Sequence, residues 1–152
     1  MLDTYAWLKF VHVLAAIVAV GFNASYGVWL ARVAKSPEHQ GHVLRTIKVL
    51  DDRFANPAYG LLLITGLSMV FVADIPLSTL WIALGLGLYS LAVLLGIAGY
   101  TPTLRKQIAA LEAEGPQSHA YQRLAARGRA LGMVLAVLVV GIVFLMVTKP
   151  TL

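Results

Sequence analysis

The chain has 152 residues, of which 59% are hydrophobic and 12% charged; it has no cysteine and a net charge of +5. A typical globular chain carries about 25% charged residues, so this one is too apolar to coat a water-facing surface, and a soluble domain is excluded. Zero cysteines also exclude disulfides, thiolate metal sites, iron–sulfur clusters and covalent c-type haem.

Charge is missing in four stretches. Lys9 to Arg32 encloses 22 uncharged residues, Arg53 to Asp74 encloses 20, Asp74 to Arg105 encloses 30, and Arg129 to Lys149 encloses 19. Crossing a bilayer takes roughly 20 mostly apolar residues in a helix. Backbone polar groups in lipid need internal partners, and these runs lack the alternation of a β-barrel strand, so each gap reads as a helical span. The expected architecture is all-α: one transmembrane domain over residues 1–152, a four-helix bundle with amphipathic extensions.

The first span runs from about Tyr5 to Trp29. It is too long for a signal-peptide core and reads as retained. Lys9, His12, Ala16, Ala19, Asn23 and Gly27 recur at intervals of three or four, which places a small, polar face toward the bundle. Next comes a basic segment, with a helix expected from His39 to Asp52 and Val43, Ile47 and Leu50 along one side. Asp51, Asp52 and Arg53 read as local ion pairing and headgroup contact. The second span, Phe54 to Val72, is expected to be kinked near the membrane surface by Pro57. The connector Ala73–Ser78 is short. The third span runs from Thr79 to Tyr100, after which Thr101 and Pro102 look like a helix N-cap and its first-turn proline. Leu104, Ile108 and Leu111 form an apolar stripe up to Gly115-Pro116. Ser118 is placed to cap the helix that enters the fourth span, Gly128 to Val147. The amphipathic pieces either lie on the inner leaflet or extend the helices into water.

Ten of the twelve basic residues fall between spans one and two or between three and four. Positive charge stays on the cytoplasmic side, so both basic segments are expected inside and both termini outside. The same basic residues point to anionic inner-leaflet lipids rather than nucleic acid as the partner. Tyr5, Trp7, Trp29, Trp81 and Tyr100 fall at predicted span ends, where amphipathic rings anchor a helix. Gly128 and Gly132, Ala83 and Gly87, and Ala92 and Gly96 stand at the spacing that lets helices approach closely, within the chain, in a homo-oligomer or with partner subunits.

Polar groups inside the bilayer are the best pointers to function. His12 lies about two turns from the outer end of span one. Met69 and Met146 lie near the outer ends of spans two and four, at a matching depth. A histidine with a methionine is a ligand set for haem b, and a histidine with two methionines suits Cu(I). The competing reading makes His12 a hydrogen-bond partner of a neighbouring helix and the methionines core filler, with no cofactor. Lys9 either snorkels to the headgroups or faces an anionic ligand. Asn23 is expected to support helix packing by bonding to Tyr59, Thr65 or Ser68. His39, His42 and His119 read as surface residues. No nucleophile–base pair, phosphate loop or paired intramembrane carboxylates can be identified, which favours a binding or structural role over an enzyme.

The opening LKFVHVLAAIVAVGF, the passage NPAYGLLLITGLSMV and the ending LMVTKP resemble a family of small bacterial four-span integral membrane proteins of unknown function. The first motif is also similar, more loosely, to copper resistance protein D-like and HemJ-type membrane proteins. The resemblance implies a four-helix bundle in the bacterial inner membrane. It makes His12 the counterpart of a histidine that is linked to haem and porphyrin in the HemJ type. Ala19 and Val20 stand where that motif often has tryptophan, so oxidase activity does not carry over. Two functions are therefore expected to compete. One is a membrane protein that binds haem b or handles copper through His12 with Met69 or Met146. The other is a cofactor-free accessory subunit of a membrane complex.

Overall fold

The computed structural model describes residues 3–150, and among these it is helical with short connections and no strand. Helix α1 spans Thr4–Val33 and opens with a side-chain cap, the Ala6 N–H donating to Asp3 Oδ1 at 2.7 Å. A short 3₁₀ turn at Pro37–His39 leads into α2, Gln40–Leu50, and α3 spans Asn56–Val72. Helix α4 covers Leu80–Leu95, α5 covers Thr101–Glu114 and α6 covers His119–Thr148. Four helical stretches are long and apolar enough to cross a membrane: α1, the run from α2 into α3, the run from α4 into α5, and α6.

The two prolines inside these runs behave alike. Pro57 and Pro102 have no N–H to continue the helical bonding, and each ring crowds the carbonyl four residues earlier. A turn of π-helix lies just before each, at Asp51–Ala55 and at Gly96–Tyr100. There the Asn56 N–H reaches Asp51 O, and the Thr101 N–H reaches Gly96 O. One extra residue absorbs the misfit without ending the helix. Thr101 is therefore a helical residue inside a continuous run from Leu80 to Glu114, and not the N-cap expected from its sequence. The real break comes at Gly115, whose φ of +84° suits a residue without a Cβ. Ser118 then caps α6 as expected, accepting from the Tyr121 N–H at 3.2 Å.

Packing is uneven along the bundle. Helix α1 packs on α3 and α4 packs on α6, with α1 also touching α6. Tyr89 adds a polar link between α4 and α3 by donating to Tyr59 O at 2.7 Å. The hydrophobic core sits at the end that carries the basic segments. Tyr26 of α1, Leu44 and Ile47 of α2, Leu104 and Ala110 of α5, and Tyr121 and Ala125 of α6 form it. Val43, Leu50, Ile108 and Leu111 pack around it. The apolar stripes of α2 and α5 thus face each other and the ends of the long helices. Their outer faces meet through Arg45, which donates to Glu112 Oε1 at 2.8 Å. Both partners are more than half exposed, so this pair adds at most about 1 kcal/mol. Away from this end the helices turn large apolar side chains outward, among them Ile64, Phe71, Leu94, Val137 and Val140. That is how a bundle solvated by lipid presents itself, since lipid tails are as apolar as leucine.

Leu44 and Ile47 are the largest fully buried side chains. Truncating Leu44→Ala should destabilise the detergent-solubilised protein by about 2–5 kcal/mol, read by thermal unfolding, while membrane insertion, set by the four apolar helices, stays unchanged. A variant as stable as the parent would show that the basic end is not the main core.

Candidate functional site

His12 lies on the side of α1 that faces α3. Its Nδ1 is 2.9 Å from Thr65 Oγ1. Thr65 is buried, and its hydroxyl lies 2.7 Å from Leu61 O, one turn back on the same helix. A threonine hydroxyl has a single proton. Given to the nearby Leu61 carbonyl, it leaves the oxygen to accept from the His12 Nδ1–H. The neutral ring is then the Nδ1–H tautomer, with its lone pair on Nε2. Gly66 completes the contact: a Cβ at this position would sit 3.1 Å from His12 Cε1. The absence of a side chain there lets the imidazole lie against the α3 backbone.

The methionines fall on different helix pairs. Met69 follows Thr65 by one turn and shares its face of α3, half-buried. Met146 packs with α4, its Cε against Gly85. The structure therefore brings His12 to Thr65 and Gly66, with Met69 next along that face, and seats Met146 in the α4–α6 contact. Lys9 lies exposed one turn before His12. Lys149 and Trp81, at the same end of the bundle, form a cation–π pair at 5.3 Å.

Asn23 stitches α1 to α3 deeper in the bundle. Its amide donates to Ala19 O at 2.9 Å and to the Tyr59 hydroxyl at 3.0 Å. Of the three partners expected for it, Tyr59 is the one used. Gly128 lies close to Gln107 and Thr103 of α5, whereas Gly132 opens onto empty space. His39 pairs with Glu38 at the exposed surface. Among the described residues, no group of three or more His, Asp or Glu side chains gathers to hold a metal.

Two features were not foreseen from the sequence. The sequence points to Thr65 only as a partner for Asn23, although it lies about as far from the end of α3 as His12 lies from the start of α1. The three acidic and basic residues at 51–53 also do not behave as one surface group. Asp52 pairs with Lys48 of α2, while Asp51 is 5% exposed and turned inward.

Thr65→Val keeps the shape and removes the acceptor for His12 Nδ1–H. It should lower stability in mixed micelles by about 0.6–2 kcal/mol. No loss would mean that the bond does not hold α1 to α3.

Comparison with known proteins adds one match. No curated protein and no solved structure is significantly similar. A family model described as a predicted integral membrane protein covers residues 6–150. With four helices able to cross a membrane and nearly its whole length matched, the chain belongs to the DUF2269 family of integral membrane proteins, whose function is unknown.

Proposed function

We propose that this integral membrane protein holds a transition-metal centre, either haem b iron or copper, on His12. The observation that carries this reading is the His12–Thr65 bond, which commits Nδ1 and leaves the Nε2 lone pair available. A held Nδ1–H fixes the ring and raises the basicity of the other nitrogen, the usual support behind a metal-ligating histidine. Met69 is the favoured second donor because it shares the Thr65 face of α3, and a thioether with an imidazole suits haem iron or Cu(I). Met146 is the alternative donor. Either metal, when bound, would supply one-electron chemistry. Lys9 would then offer a cation to a haem propionate.

A second reading, a cofactor-free accessory subunit, is favoured by the outward-facing small residues. A Cβ at Gly87, Gly96 or Gly132 would meet no other part of the described residues within 4 Å, and a partner helix can approach closely at such positions. In this reading the His12–Thr65 bond is a helix-packing contact only.

The proposed setting is a bacterial inner membrane with both basic segments in the cytoplasm and both termini outside. Arg32 and Lys35 support contact with anionic lipid, since they line an open groove on α1 with Gly27, Val28 and Ala31. A reporter fused at Pro116 should be active only in its cytoplasmic form; activity on the outer side would reverse the orientation.

The cofactor reading predicts that protein purified in detergent after haem supplementation shows a Soret band, or that copper-loaded protein retains copper. His12→Ala should abolish whichever signal appears. Neither signal in the parent protein would end the cofactor reading, and undiminished binding by His12→Ala would move the site elsewhere.

A further inference from the structure

At the end of α1 far from His12, Gly27, Val28, Ala31, Arg32 and Lys35 line an open groove. Their spacing follows the helical repeat, so they share one side of the helix, and all five are exposed. The floor is made by small residues. A Cβ at Gly27 would meet no other part of the described residues within 4 Å, and Ala31 follows one turn later. Both cations stand at one end of the groove, Arg32 in the last turn of α1 and Lys35 in the turn beyond it. The Lys35 N–H donates to Arg32 O, which ties their backbones together. Trp29, exposed next to Val28, stands where an aromatic ring marks the headgroup level.

The charges at this end of the bundle are not equally available. Arg45 and Lys48 already face carboxylates, those of Glu112 and Asp52. Arg32 and Lys35 have no ion-pair partner among the described residues, so their charge acts outward. A helix C-terminus ordinarily disfavours an anion, because its last carbonyls are unpaired. Here Leu30 O accepts from the Ala34 N–H, Arg32 O from Lys35 and Val33 O from Ser36, which offsets much of that effect. The groove runs about 12 Å along the axis, at 1.5 Å per residue. Its order is that of a phospholipid: an apolar floor on the bilayer side, then two cations on the water side.

We propose that this groove binds one phospholipid with a net negative head group. Arg32 and Lys35 hold the phosphate by charge-assisted hydrogen bonds, and the start of an acyl chain lies over Gly27 and Ala31 against Val28. The guanidinium offers paired donors to phosphate oxygens, and the ammonium adds a compact charge. Neither side chain can accept a hydrogen bond, so a head group with its own ammonium would set a third cation beside them. A head group ending in a neutral alcohol avoids that. The proposal rests on the reading that the basic end meets anionic lipid and gives that contact a discrete site and a selectivity. It is independent of any metal on His12.

The test is native mass spectrometry of the full chain in detergent, titrated with phosphatidylglycerol or with phosphatidylcholine of the same acyl chains. The parent protein should retain one phosphatidylglycerol in preference to phosphatidylcholine. Removing both charges in the double variant Arg32→Gln with Lys35→Gln should weaken that binding roughly 30-fold, about fivefold for each charge at the surface. The double variant Lys106→Gln with Arg123→Gln loses the same charge from exposed positions outside the groove and should bind as the parent does. Gly27→Leu, which fills the floor, should weaken binding several-fold with all charges kept. A parent with no preference for phosphatidylglycerol overturns both the site and the reading beneath it. A preference that survives in the groove variants, or falls equally in the Lys106 and Arg123 variant, overturns the site alone and leaves diffuse attraction. Displacement of the lipid by inorganic phosphate at equal concentration overturns it as well, by making the groove a site for a free anion. Where the groove double variant does not fold, unchanged binding in Gly27→Leu overturns the proposal equally.

Discussion

The hydrocarbon interior offers no water to satisfy a backbone N–H or C=O, and this constraint shapes nearly every feature of the chain. Each apolar stretch has to be a helix that bonds itself. Even the prolines obey it. Pro57 and Pro102 would ordinarily end or sharply bend a helix, yet each is taken into a continuous run by a π turn whose i to i+5 bond keeps the backbone occupied. Side chains follow the same rule: Thr65 turns its hydroxyl to Leu61 O, Ser68 to Ile64 O and Ser90 to Leu86 O.

With the backbone satisfied locally, tertiary packing concentrates where water returns. Lipid-facing helices gain little from burying one apolar side chain against another. At the basic end, water drives the stripes of α2 and α5 together over Tyr26 and Tyr121. The amphipathic segments, left open by the sequence as either surface helices or simple extensions, thus become a cap that joins the two helix pairs. The long helices diverge in role from there. Helix α6 buries only Tyr121 and Ala125, both at its basic end, while α1 carries the polar stripe of His12, Asn23 and Tyr26 along the side that meets α3.

That stripe explains why only part of the candidate site was legible beforehand. Periodicity along α1 is a property of one helix, so it pointed to His12 and Asn23 on an inward face. It carried no information about which residue of another helix stands opposite. Depth alone brought His12, Met69 and Met146 to one level, but depth does not choose between neighbouring helices. The α1–α3 and α4–α6 pairing does, placing Met69 on the His12 side and Met146 against Gly85. Asp51 and Asp52 make the same point at closer range. Adjacent acids look equivalent as letters, but consecutive helical positions point about 100° apart, and the packing turns Asp51 inward while Asp52 pairs with Lys48.

By itself, then, the amino-acid sequence determined the number of spans, their helical character and the clustering of basic residues at one end. These follow from charge gaps, length and the lack of water in lipid, all of which are local. Tertiary structure alone decided which helices pair, that α2 and α5 close over a common core, that Thr65 meets His12, and that Asp51 is buried. Those outcomes depend on the register between segments distant in the chain. That register is set by side-chain packing and by the two π turns, neither of which a hydropathy pattern encodes.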